Sequence, residues 1–156
     1  MPPTATLPQN PASPFASMRG HHIAIRYPDF EEARAFWVDT LGWRLAQTWP
    51  YGDLTLGFLL PPTQDDFHLE ILGGPGAVAQ PRFANIDDSM SVNGYNHVCL
   101  SVDSVDTVLA ELRSRGVEIV NEPFEILEIS ARLAFFRDPW GNIFEISEST
   151  GGDHTH

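Results

Sequence analysis

The sequence predicts an α+β fold made of two βαβββ modules, and two observations carry that prediction. Short alternating strands and amphipathic helices succeed one another in the same order twice along the 156 residues. In each repeat a histidine opens the first strand and a glutamate lies in the last, 48 residues later: His22 to Glu70, then His97 to Glu145. A chain of this length suits one domain with a sizeable core or two small intertwined modules.

Residues 1–17 carry Pro2, Pro3, Pro8, Pro11 and Pro14 with little to bury, and read as a flexible or docked arm. The first module spans 18–74. HIAIRY (22–27) alternates as a strand does, and DFEEARAFWVDTLGW follows as a helix. Asp29 is its N-cap, with Glu32 three residues on as the capping-box partner. Phe30, Ala33, Phe36, Trp37 and Leu41 form its apolar stripe, and Gly42 stands where a left-handed residue ends a helix. Strands are expected at 43–49, 53–60 and 67–72, separated by Pro50-Tyr51-Gly52 and Pro61-Pro62.

The stretch 75–95 is rich in Gly, Pro and polar residues and reads as a linker. The second module, 96–148, opens with HVCLSV (97–102). Its helix has Ser104 as N-cap, Val105, Val108, Leu109 and Leu112 facing inward, Arg113 and Arg115 near the negative end of the dipole, and Gly116 as the stop. VEIVNE, FEILEI, RLAFFR and NIFEIS are its remaining strands, with Asp138-Pro139-Trp140-Gly141-Asn142 as the turn before the last. Residues 149–156 read as a flexible tail, whose His154 and His156 are set aside from any site.

Charge and composition bound the partners. A net charge of −12, from 21 acidic and 9 basic side chains, argues against nucleic acid, which demands Lys and Arg to displace counterions. One cysteine, Cys99, cannot form an internal disulfide, so nothing points to an oxidising compartment. The first eighteen residues hold no Lys or Arg and no sustained apolar run, so no secretory signal is expected. No stretch approaches the roughly 18 apolar residues that span a bilayer. The expectation is a cytoplasmic protein acting on a small molecule.

Strand parity turns the spacing into a site. His22, Ala24 and Arg26 share one face of their strand, opposite Ile23 and Ile25. His97, Cys99 and Ser101 oppose Val98, Leu100 and Val102. In the closing strands His68 and Glu70 oppose Leu69 and Ile71, and Glu145 opposes Phe144 and Ile146. A single histidine or glutamate on a strand is ordinary. Four of them, with equal spacing and equal parity in both repeats, are read here as a metal-ligand set: His22, Glu70, His97 and Glu145.

Two neutral imidazoles and two carboxylates make a formally neutral site for a divalent ion such as Fe, Mn, Co, Ni or Zn. On an octahedral ion they leave two adjacent positions, which a substrate with two neighbouring oxygens can fill. The ion then acts as a Lewis acid. Glu70, Glu145 or His68 is the candidate to move the proton. Arg26 and Cys99 are candidates for touching substrate, although a small buried thiol is an ordinary reading of Cys99. His21 is expected to point the opposite way by parity.

The segments GHHIAIRYPDFEEARAFWVDTLGW, FHLEIL, YNHVCLSVDSVD and FFRDPWGNIFEI resemble the glyoxalase / bleomycin-resistance / extradiol-dioxygenase superfamily, also called vicinal oxygen chelate, over residues 20–148. The resemblance implies paired modules curled into a mixed-sheet cup around a metal. It places the ligands on the first and fourth strands of each module, which match His22, Glu70, His97 and Glu145. It also implies a homodimer.

Three functions are open on the sequence. The second carboxylate favours proton transfer next to a carbonyl, as in members similar to glyoxalase I or the acyl-CoA epimerases, although the latter often carry Gln where Glu70 or its counterpart stands. An extradiol-type Fe(II) dioxygenase would use His22, His97 and Glu145 and leave Glu70 unligated. A metal-free drug binder would use Trp43, Trp49, Phe58, Phe83, Tyr95 and Trp140 as aromatic walls. The chain has no Lys, and outside its helices only Arg19, Arg26, Arg44, Arg82, Arg132 and Arg137, which weakens glutathione or coenzyme A as partner.

Overall fold

In the computed structural model, which describes residues 6–151, the chain divides into two compact units, with the boundary between Ala77 and Val78. Each is βαβββ, with one four-stranded mixed sheet, as the sequence predicts. No helix among the described residues is long and apolar enough to cross a membrane.

In the first unit β1 (His22–Tyr27), β2 (Arg44–Tyr51), β3 (Leu54–Leu60) and β4 (His68–Gly73) form a sheet in the order β1-β4-β3-β2. β1 and β4 are parallel, and the other neighbours antiparallel. Helix α1 (Phe30–Arg34) continues as a wider π turn over Ala35–Thr40. Asp29 caps it as predicted, its carboxylate accepting from Glu32 N at 2.9 Å, and Gly42 ends it at φ +73°. Phe30, Ala33, Phe36 and Trp37 are buried against the sheet face that carries Tyr27, Leu59, Leu69 and Ile71. Trp37 Nε1 donates to Tyr27 Oη at 3.1 Å, so the indole N–H does not enter the core unpaired.

This packing is close. A Cβ on Gly73 would lie 2.4 Å from Phe30 Cα, so the last residue of β4 is a glycine because α1 starts directly over it.

The second unit repeats the plan. β5 (His97–Ser101), β6 (Glu118–Ile126), β7 (Ala131–Arg137) and β8 (Ile143–Ser149) lie in the order β5-β8-β7-β6, with β5 and β8 parallel. Ahead of them in sequence is α2 (Ile86–Ser89), and α3 (Val105–Ser114) lies against β6, β7 and β8. Ser104 Oγ accepts from Thr107 N at 3.2 Å. Glu148 accepts from Val105 N at 2.9 Å, placing a carboxylate at the positive end of the helix. Val105, Leu109 and Leu112 are buried, as are Ala134, Phe136, Phe144 and Ile146 beneath them.

Two expectations are corrected. VEIVNE and FEILEI are not separate strands: β6 runs through Pro123, with register shifts between Ile119 and Asn121 and between Asn121 and Phe124. Likewise β2 runs through Pro50. Both strands are sheet edges, where a missing N–H leaves no partner unsatisfied, so proline did not break them.

The stretch read as a linker also has structure. Asn85 caps α2, and Ile86 packs with Phe135, Ile143, Phe83 and Val120. Ile86 N donates to Asn121 Oδ1 at 3.0 Å, and buried Arg137 donates to Phe83 O at 2.7 Å, fastening this segment to the second sheet. The turn after β7 is built on buried Asp138, whose carboxylate accepts from Trp140 N, Asn142 N and Asn142 Nδ2 at 3.0, 2.9 and 2.7 Å. His154 and His156 lie outside the described residues, as do the first five residues of the predicted arm.

Substitution of Gly73 by Ala is expected to cost about 2 kcal/mol or more, because the added methyl meets backbone and not a movable side-chain tip. Gly20, with nothing near its Cβ position, is the control, and Gly20→Ala should stay within about 0.5 kcal/mol of the parent. Urea denaturation of both variants checks this. Equal stability of the two would mean that α1 does not sit on β4 as described.

Candidate functional site

The parallel register of β1 with β4 sets His22 opposite His68 and Ala24 opposite Glu70. That of β5 with β8 sets His97 opposite Ile143 and Cys99 opposite Glu145. In both units the glutamate therefore stands two residues past the histidine's partner, on the face away from the helix. The small side chains of Ala24 and Cys99 lie beside it, and it leans back to the imidazole. His22 Nε2 is 3.2 Å from Glu70 Oε2, and His97 Nε2 is 2.8 Å from Glu145 Oε2. The carboxylates are deep, with side-chain exposures of 12% and 13%, while the imidazoles at 37% and 25% remain reachable.

Each pair has an aromatic floor from the neighbouring strand. Phe58 is in register with Glu70 and tilts against His22 at 5.4 Å between ring centroids. Phe135 is in register with Glu145 and meets His97 edge-on at 5.3 Å. Trp49 packs on Phe58 at 4.8 Å, and Phe124 stacks on Phe135 at 6.2 Å. The pairs His22/His97, Ala24/Cys99, Trp49/Phe124 and Glu70/Glu145 each recur 75 residues apart.

The surroundings then diverge. In the first unit His68 takes the place that Ile143 has in the second. His21 stacks on it at 5.0 Å and 10°, and lies 2.8 Å from His22, Nδ1 to Nδ1. His21 thus does not point away: it precedes β1, so strand parity does not govern it. His68 Nδ1 is buried and has no hydrogen-bond partner among the described residues. In the second unit Asn96 Oδ1 is 2.7 Å from His97 Nδ1, and Asn96 Nδ2 donates to Ser89 Oγ at 2.9 Å.

The remaining predicted residues fall as follows. Cys99 is exposed, not a buried core thiol, because it sits on the face α3 does not cover. Local desolvation, followed by the charge and hydrogen bond of Glu145, pushes its thiol up to about 12. Arg26 donates to the backbone carbonyls of Tyr27, Leu72 and Pro75, the latter two at 2.9 and 2.6 Å. Its guanidinium ties β1 to the end of β4. Of the proposed aromatic walls, Trp43 is buried beside Trp37, Phe83 packs into the Ile86 cluster, and Tyr95 is fully exposed. Phe135 and Asn96 were not singled out from the sequence, and His21 was set aside by parity. The 75-residue offset carried from the histidines to their preceding residues would have found His21 and Asn96 together.

In each unit one imidazole and one carboxylate, the imidazole presenting Nε2 to the carboxylate and holding Nδ1 in a hydrogen bond, are donor types that suit a divalent cation of borderline hardness. Within either unit, no three His, Cys, Asp or Glu side chains among the described residues gather as a complete site. Each unit brings one imidazole and one carboxylate.

The profile of the Glyoxalase/Bleomycin resistance protein/Dioxygenase superfamily matches residues 19–146. The chain belongs to this superfamily. Among its relatives, a probable lactoylglutathione lyase of Synechocystis is 25% identical over 83% of this chain and 94% of that protein. Bovine mitochondrial methylmalonyl-CoA epimerase is 28% identical over 69% of this chain and 60% of its own length. The crystal structure of a glyoxalase family protein from Enterococcus faecalis superposes with a TM-score of 0.68 at 22% identity, covering 85% of this chain and 98% of that one. The names of these relatives agree with a glyoxalase-superfamily enzyme.

Since desolvation and, after it, Glu145 disfavour the thiolate, Cys99 of the metal-stripped protein should alkylate at pH 8 at least about tenfold more slowly than an unhindered thiol. Glu145→Gln removes the repulsion and should speed the reaction. Iodoacetamide labelling followed by mass spectrometry checks both. Rapid alkylation of the parent protein, unchanged by the substitution, would remove Glu145 from the neighbourhood of Cys99.

Proposed function

We propose that the chain is a divalent-metal enzyme that moves a proton next to a carbonyl on a small substrate bearing two neighbouring oxygens. The observation that carries this reading is the repeated pair, an imidazole Nε2 against a mostly buried carboxylate at the same place in both units. His22, Glu70, His97 and Glu145 together are the ligands. Bound there, the ion supplies a Lewis acid that polarises both substrate oxygens.

The chain's own groups divide the rest of the work. Glu70 or Glu145 takes and returns the proton, as the carboxylate that stands beside the ligand imidazole in its unit. His68, two residues from Glu70 and with an unsatisfied buried Nδ1, is placed to hold a substrate oxygen or to carry the proton on. Phe58 and Phe135 keep water off one side of each imidazole–carboxylate pair. The equivalence of the two pairs speaks for four ligands, and so against a two-histidine, one-carboxylate iron site that leaves Glu70 out.

Arginine placement supports a substrate of low charge. Besides Arg26, the guanidiniums of Arg34, Arg44, Arg82, Arg113, Arg115 and Arg132 each pair with a carboxylate of their own unit. Arg19 donates to Ala16 O and Met18 O, and Arg137 to Phe83 O. With no lysine in the chain, a multiply anionic ligand would have to recruit cations already engaged. The KM of a turned-over substrate should accordingly change less than about twofold between 50 and 300 mM salt. A steep rise with salt would indicate a polyanionic substrate.

The decisive experiment strips the protein with chelator, reloads it with Mn, Fe, Co, Ni or Zn, and measures bound metal and α-proton exchange into deuterated water on hemithioacetal and 2-acyl thioester substrates. Near-stoichiometric metal and exchange are expected, with Glu70→Gln and Glu145→Gln each lowering the exchange rate about 100-fold or more. Oxygen uptake coupled to ring opening of a catechol would overturn the proton-transfer reading. Substoichiometric metal, with no gain on reloading, would make the protein a metal-free binder.

A further inference from the structure

In both units, the residue just before the ligand histidine holds that histidine's far nitrogen. Asn96 Oδ1 lies 2.7 Å from His97 Nδ1, and His21 Nδ1 lies 2.8 Å from His22 Nδ1. His21 and Asn96 are themselves 75 residues apart, the offset shared by the ligands. We propose that His21 and Asn96 are positioning residues that keep the ring proton of His22 and His97 on Nδ1, leaving each Nε2 lone pair for the cation. This rests on the four-donor reading above.

In the second unit the direction of the hydrogen bond is fixed. Ser89 is 3% exposed and its hydroxyl donates to Ile86 O at 2.6 Å. Its oxygen can therefore only accept from Asn96, which fixes Asn96 Nδ2 toward Ser89 at 2.9 Å and Oδ1 toward His97. An amide oxygen accepts and cannot donate, so His97 Nδ1 carries the proton. Nε2, the nitrogen facing Glu145, is then the donor atom for a metal.

Ser89 in turn is held by α2, which Asn85 caps and Ile86 anchors. The connecting segment thus reaches the site through Ile86, Ser89 and Asn96 to His97.

In the first unit the same place is filled by a ring nitrogen. With Nδ1 of His21 accepting, its own proton is on Nε2. The ring is kept in place by stacking on His68 at 5.0 Å and by an edge contact with Phe58 at 6.0 Å. The chemistry is the same, an acceptor behind the ligand imidazole, but the support is aromatic stacking where Asn96 has a buried hydroxyl. Without such an acceptor an imidazole is free to rotate and to place its proton on Nε2, and both must be undone before a metal binds.

The test is metal affinity, measured by chelator competition with Mn(II), Co(II), Ni(II) and Zn(II) on the full chain. His21→Phe keeps the stacked ring and removes the acceptor, and His21→Asn supplies the oxygen that the second unit uses. Asn96→Ala removes the acceptor, and Asn96→Asp keeps one. His21→Phe and Asn96→Ala should each weaken binding about 10–100-fold, with His21→Asn and Asn96→Asp within about threefold of the parent.

Long-range ¹H–¹⁵N spectra of the metal-stripped protein should show a proton on Nδ1 of His97 that is depleted in Asn96→Ala, while Nε2 faces Glu145 in both. A role in packing alone would not produce that signature. Unchanged affinity in His21→Phe and Asn96→Ala, in a parent that binds metal, overturns the positioning role and leaves the four-donor reading standing. Equal losses in all four variants overturn it in favour of packing, and the His21 pair decides alone should an Asn96 variant fail to fold. A parent that binds none of the four metals overturns the four-donor reading itself, and the positioning role with it.

Discussion

Parallel pairing between the first and last strands of each unit is the constraint on which the site depends. Neighbours in a parallel ladder put their side chains on the same face, so a residue two beyond the histidine's partner shares the histidine's side. The separation along the strand is about 6.6 Å, which a glutamate can close by leaning back if nothing bulky stands next to it. Ala24 beside Glu70 and Cys99 beside Glu145 leave that room. A slip of one residue would turn the glutamates onto the helix face, where a carboxylate would enter the apolar contact of Ala33, Phe36 and Leu59. The register is held by the apolar residues between, Leu69 and Ile71 in β4, Phe144 and Ile146 in β8. The burial that stabilises each unit therefore also sets the spacing of its donors.

Much of this could be read from residues alone, for a physical reason. Helix caps, an alternating strand and its two faces are local properties, and Asp29, Ser104, Gly42 and Gly116 do what their types dictate. Equal spacing in the repeats carried the local pattern to a non-local pairing of His with Glu. Where partners were set by tertiary context, the sequence was misleading. Pro123 looked like a break because its tolerance depends on β6 being an edge, and the edge is a property of the sheet. Cys99 looked like a core thiol because its exposure depends on which face α3 covers. The 75–95 segment looked like a tether because its buried anchors are few, chiefly Ile86 and Ser89, among residues of loop-like composition.

His21 shows the limit of parity. Alternation across a strand applies only where the backbone is extended within the ladder, and β1 begins one residue later. His21 O still accepts from His68 N at 3.3 Å, but its ring turns toward the site face, where stacking on His68 holds it.

The two units supply the same donors but not the same neighbourhood, and that difference has chemical content under the proposed function. Two identical imidazole–carboxylate pairs would present a substrate with two equivalent ends and no reason to bind one way round. His68 and His21 make the first unit's side rich in ring nitrogens, one of them buried and unsatisfied. Ile143, Ile86 and Phe135 make the second unit's side apolar. Under the proposed function the first unit's pair, with His68 and His21 beside it, is the one equipped to hold a polar substrate group. Under that reading Glu70 has a hydrogen-bonding neighbour in His68, two residues away, whereas Glu145 has an apolar one in Ile143 and an imidazole backed by Asn96.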